Sequence, residues 1–142
     1  MKKISFLLMA MLLSIISIAQ TNVGSGNSTG QALPIDPYYG YSYSQSVYLS
    51  SDINASGSIT GVRYYVDAGT ALDDDAYDWV VSIATSTRTS FSGISDWEPV
   101  ANFTQVYADS AYVVADPAGD YVEILFNTPF VYNGTDNIIM AV

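Results

Sequence analysis

From residue 47 onward, apolar and polar side chains alternate in short runs, each closed by Gly, Asn, Asp or Ser. Alternation with a period of two puts every second side chain on one face of a pleated strand, so each run predicts a strand buried on one side. Residues 47–49 form the shortest run and stop at Ser50-Ser51-Asp52. Residues 59–66 follow Asn54-Ala55-Ser56-Gly57, with Val62, Tyr64 and Val66 on one face and Arg63 and Tyr65 on the other. In 78–84, Trp79, Val81 and Ile83 fall together opposite Ser82, which assigns Trp79 to the core. Residues 103–108 and 111–114 flank Asp109-Ser110, a pair suited to a tight hairpin or a short corner. Residues 121–126 align Val122, Ile124 and Phe126 and turn Glu123 outward, and 138–142 follow the turn sequence Asn133-Gly134-Thr135-Asp136. Past the N-terminal segment, no stretch combines a helical period with caps. The pattern predicts an all-β fold, two antiparallel sheets packed as a β-sandwich.

The N-terminal segment is of another kind. Lys2 and Lys3 precede an apolar run over 4–18 that is broken only by Ser5, Ser14 and Ser17. Ser17 and Ala19 then supply small side chains on either side of Ile18, as a cut after Ala19 requires. These are the parts of a secretory signal peptide. The run is also shorter than the roughly 20 apolar residues that span a bilayer. With no Cys at the cut, no lipid anchor is expected there. The expected organisation is a signal-peptide helix over 1–20, a flexible Gly/Ser/Asn/Thr-rich lead-in over 21–33, and the sandwich domain over 34–142. The setting is then secreted or extracellular, with attachment to the outer cell surface as one form of it. Residues 137–142 read as a strand that stops without a turn or polar tail, so the domain is expected to be truncated at its C-terminus.

Composition narrows the chemistry. The chain has no Cys and no His. That removes disulfides, thiolate nucleophiles, the commonest general base and the usual zinc ligand, and with them Ser-His-Asp and Cys-His sites. If Lys2 and Lys3 leave with the signal, Arg63 and Arg88 face 14 acidic residues. Nucleic acid is bound by Lys and Arg that displace phosphate counterions, so this balance argues against it as a partner. Anionic membrane surfaces are disfavoured for the same reason, and no insertion is expected after signal removal.

Candidate binding residues are aromatic. Tyr38, Tyr39, Tyr41 and Tyr43 cluster ahead of the first predicted strand, and Trp97 lies in the loop Ser95-Asp96-Trp97-Glu98-Pro99. Rings with an apolar face and a polar tip suit a wet surface that binds a glycan or cell-surface polymer. The plainer alternative lays the tyrosines along a sheet edge. Asp73, Asp74, Asp75 and Asp78 form the densest acidic cluster. Calcium takes its ligands from such oxygens, and Asp52, Asp67, Asp116 or Asp120 would complete a site only if folding brings them close. The spacing is not that of an EF-hand loop, and a solvated acidic turn that discourages edge pairing is the alternative. Glu98 and Glu123 are the only glutamates. A glycosidase needs two carboxylates at a controlled separation, but among so many acids a chance pair says little. No catalytic residue is assigned.

Several segments taken together resemble a known type of module. Ser44-Gln45-Ser46-Val47-Tyr48-Leu49, then Gly57-Ser58-Ile59-Thr60-Gly61-Val62-Arg63-Tyr64-Tyr65, are similar to the opening of a β-sandwich module of secreted, multidomain Bacteroidota surface proteins. The similarity continues at Ser90-Phe91, Trp97-Glu98-Pro99 and Gln105-Val106-Tyr107, and through Thr128-Pro129-Phe130-Val131-Tyr132-Asn133-Gly134-Thr135-Asp136-Asn137-Ile138. It covers roughly 34–142. The resemblance implies a jelly-roll-like module, further domains in the same chain and a C-terminal tail read by the type IX secretion machinery. No such tail is present in this sequence. The leading expectation is a non-catalytic extracellular adhesion or accessory module, in its sharper form carbohydrate-binding. The alternative is an accessory domain of a secreted hydrolase whose catalytic domain lies beyond Val142.

Overall fold

The computed structural model describes residues 20–24, 34–35, 39–65, 77–110 and 121–142. The expected signal helix, Val66 and the predicted strand over 111–114 lie outside the described residues. Six strands are present: β1 (Gln45–Tyr48), β2 (Gly57–Tyr65), β3 (Trp79–Ser86), β4 (Thr104–Asp109), β5 (Tyr121–Tyr132) and β6 (Asn137–Ala141). A single helical turn, α1 (Ser50–Ile53), follows β1, and a 3-10 turn (Val100–Asn102) precedes β4. Four strands form one sheet in the order β1-β6-β3-β4, and β2 and β5 form a second. Every pairing is antiparallel. The fold is the all-β, two-sheet sandwich that the alternation predicts.

Its core follows from the register. Directly paired residues share a face of the sheet, so Ile138 and Met140 of β6 point the same way as Ile83 of β3 and Tyr48 of β1. Trp79 and Val81 join them, and Val122 and Ile124 of β5 meet them from the other sheet. Tyr64 of β2 reaches across and donates its hydroxyl to Met140 Sδ at 2.8 Å. Burial pushes the Tyr64 phenol far above its ordinary range, so it stays a neutral donor. Val23 and Ile35, from ahead of β1, also pack against this core.

Two departures from the simple pattern have local causes. Residues 50–53 close into α1 because Asn54 adopts a left-handed conformation, φ 43°, and donates its N–H to the Ser50 carbonyl. The turn carries Ile53 into the core. The second departure concerns β5, which runs on to Tyr132 where the alternation ends at Phe126. Between Ile59↔Phe130 and Gly61↔Leu125, β5 advances further than β2, and the surplus forms a bulge. Pro129, which has no N–H to give a ladder, falls there. Asn127 uses the bulge to accept the Ala108 N–H at 2.9 Å, tying β5 to β4.

Gly61 sits where the strands close up again. A Cβ at this position would lie 2.7 Å from the Ile124 carbonyl oxygen, a backbone atom that cannot swing aside. Gly61→Ala is expected to destabilise the fold by about 1–3 kcal/mol, read as a lower urea midpoint at unchanged slope. An unchanged midpoint would show that the bulge absorbs the methyl group.

Candidate functional site

The segment between β3 and β4 returns across the outside of the sandwich. It leaves β3 at Ser86, which pairs with Asn137 at the start of β6. Eleven residues on, Trp97-Glu98 stands beside Gln45 of β1, which pairs with Ala141 at the far end of β6. Gln45 shares a face with Ala141 and Ile139, the face turned away from β2 and β5. The segment therefore passes diagonally over β6 on that face, where Ile139 and Ala84 are wholly buried.

Side chains hold it there. The Gln45 amide brackets Glu98 as a neighbouring strand would: Oε1 accepts the Glu98 N–H at 2.8 Å, and Nε2 donates to the Glu98 carbonyl at 3.0 Å. The same Nε2 donates to the Tyr43 hydroxyl oxygen at 2.8 Å. Arg88 braces the loop from inside, with Nη1 on Asp96 at 2.7 Å and Nε on Glu98 at 3.0 Å. The Phe91 ring lies under the guanidinium at 5.7 Å. Asp96 also accepts the Ser92 N–H and hydroxyl, each at 2.9 Å, and Glu98 accepts from Asn102 at 2.6 Å. The Arg88 carbonyl takes the Asn137 amide, whose oxygen accepts the Ser50 N–H, so the loop is anchored to β6 and α1. The Ser92 N–H, the Arg88 guanidinium and the Ser92 hydroxyl together hold the Asp96 carboxyl down at about 2. Pairing with Asp96 raises Arg88 in turn.

This bracing presents two rings. Tyr43 and Trp97 lie 5.3 Å apart between centroids, tilted by 36°. About half of each side chain is exposed, 50% for Tyr43 and 47% for Trp97. They are far apart in sequence and both were expected to bind from the sequence; the fold brings them into contact. Tyr39 and Tyr41 are exposed on the same approach to β1, Tyr41 at 97%. Tyr38 lies outside the described residues. Of the twelve large apolar side chains exposed among the described residues, six (Tyr39, Tyr41, Tyr43, Ile94, Trp97 and Val100) belong to the two segments that meet here. A shallow open depression lined by Ser92, Gly93, Ile94, Ser95 and Asp96 adjoins Trp97 in the chain.

The acidic candidates stand elsewhere. Asp73, Asp74 and Asp75, with Asp67, Asp116 and Asp120, lie outside the described residues. Asp78 is exposed and has a left-handed backbone, φ 58°, just before β3. Asp52 is exposed and accepts from the Ser51 hydroxyl. Among the described residues, no three acidic side chains are grouped to hold a metal ion. The two glutamates are kept apart: Glu98 binds Arg88 outside the four-stranded sheet, while Glu123 pairs with Arg63 at 2.8 Å on the exposed face of β2 and β5. The sandwich lies between them, so they do not form a carboxylate pair.

No protein-family model matches the chain, and neither does any curated protein or solved structure. Among the described residues, no helix is long and apolar enough to cross a membrane.

The Asp96 carboxyl provides a direct test of the bracing. Its folded value lies below the ordinary 3.8, so the stability it contributes is complete above that value. That contribution is lost as the pH falls toward about 2. Between about pH 5 and 2 the melting temperature of the native protein should therefore fall more steeply than that of Asp96→Asn, which lacks this titration. Equal slopes would mean that ionisation of Asp96 contributes nothing to the fold.

Proposed function

We propose that this chain is a non-catalytic module of a secreted surface protein, serving adhesion or accessory binding, and that it holds a glycan on the Tyr43–Trp97 pair. The observation that carries this reading is the contact between the half-exposed ring of Tyr43, just ahead of β1, and that of Trp97, on a loop braced by Gln45 and Arg88. The C–H-rich face of a pyranose lies on the electron-rich face of such a ring, and the Tyr43 phenol, whose oxygen already accepts from Gln45, can still donate its O–H to a sugar hydroxyl. Bracing removes much of the ordering cost that a mobile loop would bear on binding. Exposed apolar side chains are concentrated in the two segments that meet at the pair, and such concentration is a mark of interaction sites.

The setting rests on sequence. The charged start, apolar run and small-residue cut of 1–20 support export, and the similarity over 34–142 supports a place among multidomain Bacteroidota surface proteins. A type IX route and jelly-roll-like connectivity belong to the same proposal.

Trp97→Ala should abolish retention on a polysaccharide affinity gel, and Tyr43→Ala should weaken it about tenfold, the scale of one interfacial aromatic. Both variants should keep the native melting temperature within a few degrees, since neither ring is in the core. Unchanged retention of Trp97→Ala would remove the ring pair from the proposal.

A further inference from the structure

We propose that the Tyr43–Trp97 site takes uncharged polysaccharides and rejects those bearing uronic acid or sulfate groups; this rests on the reading of the pair as a glycan site. The first ground is the charge around the rings. Arg88 is the one cationic side chain of the loop, and two carboxylates already engage it, Asp96 at 2.7 Å and Glu98 at 3.0 Å. Two carboxylates on one guanidinium leave a net negative charge next to Trp97. The remaining arginine, Arg63, is on the other outer face and pairs with Glu123. Among the described residues, no cation near the site is left to receive an anionic sugar.

The second ground is the chemistry of the groups that are present. The aromatic faces carry the negative lobe of the ring quadrupole, which attracts C–H and repels carboxylate or sulfate oxygens. The Asp96 carboxylate, 27% exposed, is an oxygen acceptor to which a neutral sugar brings hydroxyl donors, while Glu98, 11% exposed and bonded to Arg88 and Asn102, contributes its charge. An anionic sugar brings like charge to the same carboxylates, and like-charge juxtaposition is how interfaces exclude wrong partners. At longer range, 14 acidic against 4 basic residues in the chain slow the approach of any polyanion.

The test uses matched ligands. Soluble β-glucan, mannan and xylan are assayed by affinity electrophoresis beside the same polymers after oxidation of their primary hydroxyls, where present, to carboxylates, with polygalacturonate and heparan sulfate as natural polyanions. Trp97→Ala marks which binding belongs to the site. The expected result is Trp97-dependent retention by at least one neutral polymer, and about tenfold weaker retention after its oxidation at low salt. That penalty should shrink toward about 1 M salt, where the screening length falls to about 3 Å. Trp97-dependent retention of a polyanion equal to or stronger than that of the neutral polymers would overturn the charge inference and leave the glycan site standing. Retention by none of the polymers would overturn the glycan reading itself, and the selectivity with it.

Discussion

Strand β6 has to be covered on both faces, and much of the molecule follows from that. Ile138 and Met140 point toward β2 and β5, Ile139 and Ala141 point away, and all four are buried. A sandwich covers only the first pair. The second pair lies on an outer face, where an exposed Ile139 would cost the fold about 1.5–3 kcal/mol in lost burial and the smaller Ala141 less. The segment between β3 and β4 crosses that face, and in doing so it sets Trp97 beside Tyr43. The candidate site is thus a consequence of closing the outside of the sheet.

Closing it demands polar bonding as well as apolar cover, because a loop laid over a sheet brings backbone groups that cannot reach water. Gln45 meets this need for Glu98 by standing in for a neighbouring strand, accepting its N–H and donating to its carbonyl. Arg88 does the same for the carboxylates, and Asn137 passes the loop's anchorage on to α1. Each link is partly shielded from solvent, where hydrogen bonds to charged groups are stronger than on an open surface. The rings above them are therefore held by a connected network rather than by their own contact alone.

The opposite outer face has a different character. Arg63 faces Glu123, and Tyr65 packs edge-on against Tyr121 with 5.6 Å between centroids. These are cross-strand pairs between directly opposed residues, a stabilising device of an exposed sheet surface. Among the described residues, the half-exposed Tyr65 and Tyr121 stand on paired strands, whereas on the loop-covered side the half-exposed Trp97 stands on a loop braced by side chains.

Period-two alternation by itself determined the strands, the inward positions of Trp79, Val81, Ile83, Val122 and Ile124, and the outward turn of Glu123, because a side chain's face depends only on its place along one strand. It also marked Trp97 as a loop aromatic, and Tyr43 as part of a tyrosine cluster. It did not show that β5 passes through Asn127 and Pro129, since a bulge depends on the partner strand and the alternation stops at Phe126. Nor did it single out Gln45 and Arg88. Gln45 brackets a residue 53 positions away and the Arg88 carbonyl meets Asn137 49 positions away, and no local pattern distinguishes a glutamine that brackets another segment from one in water. Tertiary structure alone decided that Tyr43 meets Trp97 and that Glu98 and Glu123 are separated by the sandwich. Contact across a sheet is set by strand order, and the β1-β6-β3-β4 order arises only when β6 inserts between β1 and β3.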